Sequence, residues 1–585
     1  MSFIIHYYRK MFKRIFQTNR SQAFITLALV VVIALIINVL ANIFNAQLDL
    51  TEEKRFSLTE PTKRQLRELN DVVFVRCLLG SKLPAGFKRL QTETRKTLED
   101  FKSLNPNIDF KFEDPSLGGS DEERKKQFED FAQAGLVPMR LRLVNDDAKS
   151  EQYIFPYCEF NYRNEKVVVK LLENDVPNMN PELALNNSIA LLEYKFSNAI
   201  QKLQTDRKSN IVFTDGHSEL KPEETGDLEQ SLRAFYNVGR INLDSVAAIP
   251  FGNKQSQVDV LIVAKPRTAF SEKHKFQIDQ YIMQGGKVMW LIDRLNADLA
   301  GMQQTGEMLP SDYPLNLEDQ LFKYGCRIQP NMVLDMEATR IPLRVGAVGG
   351  SPQLDLFKWW YYPIVAPSSA HPIVKALDRV WLQFPSTVEA IKTKTEVQKT
   401  ILLASSKYSR TQFTPTRLNF EILRYPEEKD KFNKGNQPLA VMLEGQFPSL
   451  FENRVTAEQF AVLQQLGLQY SPLSKNTKML VVGDGDIARN EYDSQKGASL
   501  PLGYNRFEKY KFANKDFLLN TVEYMLDDKG IIEARGKEIK LRLMDGERAK
   551  ADATFFRSVN ILLPLALVAL FGAFFLWRRR RKYAR

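Results

Sequence analysis

Two long uncharged runs bracket the chain. Residues 22–44, QAFITLALVVVIALIINVLANIF, contain no ionisable side chain and at 1.5 Å per residue would extend roughly 34 Å as a helix, enough to cross a bilayer core. Residues 559–577, VNILLPLALVALFGAFFLW, are likewise free of charge and end at Trp577 before RRRRK, for a helical length of roughly 28 Å. Between them the pattern changes to short apolar stretches alternating with amphipathic ones. Residues 71–205 predict strands at 72–80, 108–114 and 139–145, helices at 88–104 and 121–134, a hairpin from YIFPYCEFNY and EKVVVKLLE, and a long closing helix over 181–203.

A second series begins at residue 210. Strands are predicted at NIVFTDG (210–216), VDVLIVAK (258–265) and KVMWLID (287–293), with helices over 224–236 and 272–284 between them. Further strands follow at 331–335, 400–406, 439–445 and 478–484, and NKDFLLNTVEYMLDD forms a terminal helix. Apolar strands alternating with helices predict a mostly parallel, doubly wound sheet. Residues 340–397, with several prolines and WWYYP at 359–363, read as an insertion or an exposed aromatic surface. The βαβαβββα order of residues 71–205 matches a thioredoxin-like sheet.

Length and charge narrow the function classes. At 585 residues the chain exceeds what one core supports, so several domains are expected. The formal net charge of +11 belongs entirely to the tails. Arg9, Lys10, Lys13, Arg14 and Arg20 precede the first run, Arg578, Arg579, Arg580, Arg581, Lys582 and Arg585 follow the second, and residues 21–577 are neutral. A neutral body argues against nucleic acid as a partner. The same clusters, read by the positive-inside bias, place both termini in the cytoplasm and the bulk outside it, in a two-pass inner-membrane protein. A cleaved signal peptide is the rival for the first run, but that run is longer than the roughly 7–15 residues of a signal core. Asn38, Asn42 and Asn45 mark one face near its outer end; they either bond a neighbouring helix or reach interfacial water. The first sixteen residues mix Phe, Ile and Tyr with Arg and Lys, the composition of a short amphipathic helix on membrane lipid.

Candidate chemistry is sparse. No G-x-x-x-x-G-K-[ST] occurs, so P-loop ATP hydrolysis falls to a partner. The four histidines and Cys77, Cys158 and Cys326 lack metal-ligand spacing, and neither a metal nor another cofactor is expected. Cys77 has no C-x-x-C companion, so thioredoxin-type redox chemistry is not expected; an odd cysteine number implies at least one free, buried thiol. Two loops follow strand ends, where open αβ sheets place ligands. One holds Asp215, His217 and Glu219, the other Asp484 and Asp486. The His217/Glu219 pair suits acid–base work and the Asp pair calcium, while turns rich in Gly and Asp are also ordinary loop chemistry. These five residues are candidates for binding a ligand or partner, and no catalytic residue is assigned.

Several blocks carry a family resemblance: DLTEEKRFSLT (49–59), LPAGFKRLQTETRKTLEDF (83–101), LEYKFSNAIQKL (192–203), YIMQGGKVMWLID (281–293), LEGQFPSLFENR (443–454), VVGDGDIARN (481–490), and NKDFLLNTVEYMLDD with KEIKLRLMD. In this order, between two terminal spans, they resemble the gliding-motility-associated ABC-transporter component family GldG of Bacteroidetes. The resemblance implies an auxiliary, substrate-binding subunit working with a membrane permease and a cytoplasmic ABC ATPase. It also implies a domain related to one in intraflagellar-transport proteins, similar in fold to class I glutamine amidotransferases. In such an enzyme a nucleophilic Cys would follow a strand like KVMWLI, where this chain has Asp293, so glutaminase activity is not expected.

The α/β chain is accordingly divided into a basic segment 1–20, a transmembrane helix 21–45, a thioredoxin-like α/β domain 46–205 and a larger doubly wound, amidotransferase-like α/β domain 206–535 with its insertion around 340–397. A linker 536–557, a second transmembrane helix 558–577 and a basic tail 578–585 complete it. A structural scaffold of the motility machinery and a hydrolase using the His217/Glu219 loop are the alternatives to a transport subunit.

Overall fold

The computed structural model describes residues 27–36, 38, 57–80, 83–115, 120–133, 136–145, 148–172, 181–205, 207–253, 255–348, 351–375, 377–424, 428–493, 497–536 and 552–583. It divides into two compact units, Met1–Glu538 and Ile539–Arg585.

In the first unit, β1 (Val73–Cys77), β2 (Ile108–Phe112), β5 (Tyr157–Tyr162) and β6 (Glu165–Lys170) form a four-stranded sheet in the order β2-β1-β5-β6. β1 runs parallel to β2 and antiparallel to β5, and β5 antiparallel to β6. The pair β3 (Met139–Asn145) and β4 (Ala148–Ile154) stands apart as a two-stranded hairpin. Val73, Val75 and Cys77 alternate along β1 and face Leu98 and Phe101 of helix α1 (Ala85–Leu104) and Phe196 and Ile200 of α2 (Leu192–Gln204). The predicted closing helix is broken at Leu191, between Pro181–Ala190 and α2. Cys77 and Cys158 lie directly opposite in the β1/β5 register. All three cysteines are free and buried, and burial pushes the Cys158 thiol well above its ordinary range.

The main sheet is seven-stranded. Its members are β7 (Asn210–Asp215), β8 (Asn237–Asn242), β9 (Val260–Ala264), β10 (Lys287–Leu291), then, beyond an intervening region, β14 (Val397–Ala404), β16 (Pro438–Gly445) and β17 (Thr477–Val482). The order is β14-β16-β17-β10-β9-β7-β8. The five strands from β8 to β17 are parallel, whereas β16 and β14 join antiparallel at one edge. Successive residues of β9 alternate between two cores: Val260, Ile262 and Ala264 on one face, Leu261 and Val263 on the other. Both faces are covered. Leu228 and Leu232 of α3 (Gly226–Arg233) and Phe517, Leu518 and Val522 of α5 (Asn514–Leu526) cap the first; Ile278, Tyr281 and Ile282 of α4 (Glu272–Met283) cap the second. That is why these strands read as continuous apolar runs and not as alternating ones. α4 begins where the Ser271 side chain accepts from the His274 amide and ends before Gly285, whose φ of 105° a side chain would resist.

Three features depart from the sequence reading here. β8 carries the polar edge sequence NVGRIN, which hides it from a search for apolar runs. NMVLD, β11 (Asn331–Asp335), pairs with β15 (Ser409–Phe413) outside the main sheet. The 340–397 stretch forms most of a long hairpin, β12 (Ala338–Val348) with β13 (Ser351–Val365). Its Trp359, Trp360, Tyr361 and Tyr362 are buried with Met332 and Leu334, so this aromatic run is core and not surface. Only toward the hairpin's tip do Val345, Leu354 and Leu356 face solvent.

Among its described residues the second unit holds the helix Ala553–Tyr583, whose segment Ala553–Arg581 is long and apolar enough to cross a membrane. A shorter apolar helix, Leu27–Ile36, lies in the first run. Asn38 continues on helical backbone, whereas Asn42 and Asn45 lie outside the described residues. A long C-terminal and a short N-terminal apolar helix are compatible with a membrane-anchored protein.

Candidate functional site

The strand order of the main sheet reverses between β7 and β9: the chain leaves β7 through α3 to the outer strand β8, then crosses back to β9. The carboxyl ends of β7, β9, β10 and β17 therefore surround the crevice where such sheets bind ligands. Each end contributes a polar residue straight after its apolar run.

Lys265 follows β9, Asp293 lies just past β10, and Asp484 and Asp486 lie past β17. The Lys265 ammonium is 2.9 Å from Asp293 Oδ2 and 2.5 Å from Asp486 Oδ2. Asp293 Oδ1 accepts the Gly485 amide at 2.5 Å. Asp484 accepts the amides of Gln383 at 2.7 Å and Asp486 at 2.8 Å. Arg489 reaches Asp486 at 3.4 Å and Glu224 at 3.2 Å. All four of Lys265, Asp293, Asp484 and Asp486 are buried. Two glycines make this approach possible. A Cβ on Gly485 would come within 2.6 Å of Lys265 Cβ, and one on Gly483 within 2.1 Å of the Ser386 carbonyl.

Burial alone would depress the Lys265 ammonium, but the Asp293 and Asp486 carboxylates outweigh it and hold the pKa above the ordinary lysine value. Burial opposes ionisation of Asp486 too, yet Lys265 and Arg489 keep it below the usual carboxylate range. Burial, reinforced by the charges of Asp293 and Asp486, pushes the Asp484 carboxyl well above its ordinary range, against the amide of Gln383 and the ammonium of Lys265. Ligand oxygens of Asp293, Asp484 and Asp486 converge within 4.8 Å. Calcium requires about six to eight oxygens, but here a lysine ammonium and backbone amides already occupy the inward faces of the carboxylates. The cation of this cluster is the protein's own side chain.

The second group is a chain of four side chains. Glu219 Oε1 lies 3.4 Å from His217 Nδ1, and Glu219 Oε2 accepts the His217 amide at 2.6 Å. His217 Nε2 is 2.9 Å from His274 Nδ1, and His274 Nε2 is 2.9 Å from Asp244 Oδ1. The His217 ring stacks on Phe270, centroids 3.7 Å apart. His217, Glu219 and His274 are buried, whereas the Asp244 carboxylate is exposed. Burial lowers the His274 pKa, and the Asp244 carboxylate only partly restores it. Burial raises Glu219, but the nearby His217 ring and the amide that His217 donates to it bring it below its ordinary value.

Of the five loop candidates, His217 and Glu219 thus meet each other and Asp484 and Asp486 meet each other. Asp215 joins neither pair: it is exposed and caps its own turn by accepting the Gly216 amide at 2.9 Å. The segment after β9 links the two groups, since Lys265 serves the first while the Arg267 and Thr268 amides donate to the His217 carbonyl. Sequence reasoning passed over Lys265, His274 and Asp244. Lys265 was detectable as the one charged residue closing VLIVAK, whereas His274 and Asp244 lie on α4 and after β8 and carry no local signal. Asp293 is engaged by Lys265 and Gly485.

Comparison with known proteins adds a family. Residues 208–521 match the model of the ABC-type uncharacterized transport system, and residues 52–161 match a domain of unknown function. Among curated proteins none matches the sequence. A solved structure titled "mmIFT52 N-terminal domain" is similar at 12% identity, covering 54% of this chain and 96% of that one with a TM-score of 0.30.

Proposed function

We propose that this chain, which belongs to the family of the ABC-type uncharacterized transport system, is a non-enzymatic auxiliary subunit that binds a substrate or envelope partner beside a membrane permease and a cytoplasmic ATPase. The observation that carries this role is the family match over residues 208–521, which contains every strand of the main sheet. The missing Walker A pattern supports assigning ATP hydrolysis to a partner. The compensated Lys265 cluster supports a structural reading of Asp484 and Asp486, and the Phe270 stack on His217 supports a positional role for that loop.

On this reading the chain is a gliding-motility component of the GldG type. It crosses the inner membrane twice, at 21–45 and 558–577, with both termini cytoplasmic. Residues 46–205 form a thioredoxin-like domain, which the order β2-β1-β5-β6 with a reversed β5 supports, and residues 206–535 an amidotransferase-like one.

Affinity purification of the full chain from membranes, with identification of its co-purifying subunits, tests the proposal. Recovery of a permease and an ABC ATPase is expected. Recovery of the chain without either would overturn it, and normal gliding beside a catalytically dead ATPase would point instead to a scaffold.

A further inference from the structure

A cleft of about 460 Å³ opens where β6 and α2 of the N-terminal sheet face residues 511–523 of the main-sheet layer. That volume lies in the range of small-molecule sites, which often form between packed units. Phe235, Phe512 and Leu519 supply apolar lining, and six basic side chains line it against three acidic ones. The acids are already engaged. Glu523 accepts from Lys202 at 2.9 Å, from Asn198 at 3.0 Å and from the Tyr194 hydroxyl. Asp378 accepts from the Tyr510 hydroxyl, and Asp516 also has a partner. Lys515 is bound to Asp227 at 3.0 Å.

Lys170 and Lys511 differ. Among the described residues, no carboxylate or carbonyl accepts from the ammonium of either. Lys511 is half-buried, and burial holds its pKa below the ordinary value; the carboxylates of Asp516 and Asp227 pull it up, while the like charges of Lys515 and, least, Lys170 add to the lowering. An anion entering the cleft meets a lining with six basic side chains against three acidic ones and is attracted by both of these ammonium groups.

We propose that this cleft binds a small organic anion, a carboxylate or phosphate monoester on an apolar body, with its charged group between Lys170 and Lys511 and its apolar part against Phe235, Phe512 and Leu519. The site gives a ligand class to the substrate-binding half of the proposed function and rests on that half for its biological meaning.

The test is calorimetric titration of the full chain, reconstituted in discs of zwitterionic lipid, with octyl phosphate and octanoate below their micelle concentrations. Saturable binding of at least one anion is expected, weakened by about tenfold or more in K170Q/K511Q and also reduced in Leu519→Phe, which fills the cleft without removing charge. Octyltrimethylammonium should not bind. Loss of octyl phosphate binding in discs containing an anionic phospholipid assigns the ligand to a lipid headgroup, and persistence assigns it to a soluble molecule; both fit the proposal. No saturable binding, equal affinity in K170Q/K511Q, or equal binding of the cation would overturn it. Co-purification with permease and ATPase is scored separately, so failure of the cleft leaves the subunit assignment standing, and failure of the assignment leaves the cleft testable.

Discussion

The carboxyl edge of the main sheet and the seam beside the N-terminal sheet both gather charge, yet they treat it in opposite ways. At the edge, Lys265 meets two carboxylates within 2.9 Å and the third carboxyl is held by backbone amides. In the seam, exposed Lys170 and half-buried Lys511 have no hydrogen-bonded acceptor for their ammonium groups among the described residues. Burying an ion is costly unless it is paired, so a fully compensated cluster suits a permanent part of the fold. An uncompensated pair at an open cleft suits a counter-ion that comes and goes. The contrast assigns structure to the strand ends, the location fold-level expectation favours for ligands, and binding to the seam.

The strongest way to break that contrast is Lys265→Met. Methionine preserves much of the stem volume but leaves Asp293 buried without its cation and Asp486 with Arg489 alone, and removing one partner of such a cluster costs about 3–5 kcal/mol. Thermal unfolding of the full chain checks it. Adding Asp293→Asn and Asp486→Asn should recover much of the loss, because the amides need no counter-charge. A Lys265→Met chain as stable as wild type would mean that the cluster does not hold the fold and would reopen the strand ends as a site.

Within the seam, Glu523→Gln sharpens the distinction between its compensated and uncompensated halves. Glu523 ties Tyr194, Asn198 and Lys202 of α2 to α5, and the neutral amide would leave the Lys202 ammonium without its ion pair, over the Phe235 and Tyr236 rings at 3.8 and 5.5 Å from their centroids. The expected loss is about 1–3 kcal/mol, with faster proteolytic cleavage around residues 205–209. An unchanged cleavage rate would show that the apolar contacts of Tyr194 with Ile531 and Ile532 hold the seam alone.

Sequence patterns carried most of the sheet but little of either charged region. β9, β10 and β17 were legible because strands buried on both faces cannot hide their apolar runs. β8 was not, since an edge strand needs no such run. NMVLD has the same apolar look as the main strands yet pairs with Ser409–Phe413, because burial does not say which sheet does the burying. Asp484 and Asp486 were legible as a pair on a strand-end loop. Their partner Lys265 lies 221 residues from Asp486 and emerges only when β9 and β17 are laid on either side of β10. The cleft had no signal: Lys170 and Lys511 are ordinary lysines of an exposed strand end and a two-residue hairpin strand until the two layers meet.

A smaller effect should separate the two groups at the strand ends. His274 has its pKa lowered in the fold, so the fold prefers its neutral ring. The stability this gives is complete above the ordinary value of 6.5 and is lost as pH falls below it, because the unfolded chain then binds the proton more readily. Glu219 is lowered below 4.5, and its contribution likewise disappears on acidification, but only beneath that value. The melting temperature should therefore decline gently between pH 7 and pH 5, and His274→Gln should flatten that decline while leaving the steeper acid loss. A decline unchanged in His274→Gln would place the titrating group elsewhere.

The smallest expected effect is also the one whose sign is most telling. Removing a buried, paired charge such as Lys265 should cost stability; removing Lys511 should not. Its lowered pKa means that the fold resists the charged ammonium, so at neutral pH Lys511→Gln should melt slightly higher than wild type in the absence of ligand. A half-buried position still sees solvent screening, which limits the gain to about 0.5 kcal/mol. The difference should vanish as pH approaches the ordinary lysine value of 10.5, where wild type sheds the same charge. Octyl phosphate should then reverse the order by stabilising wild type more than the variant, since a ligand that binds only the folded chain raises its stability with concentration. If Lys511→Gln instead melts lower with and without the anion, Lys511 is compensated after all, and the seam differs from the strand ends only in its exposure.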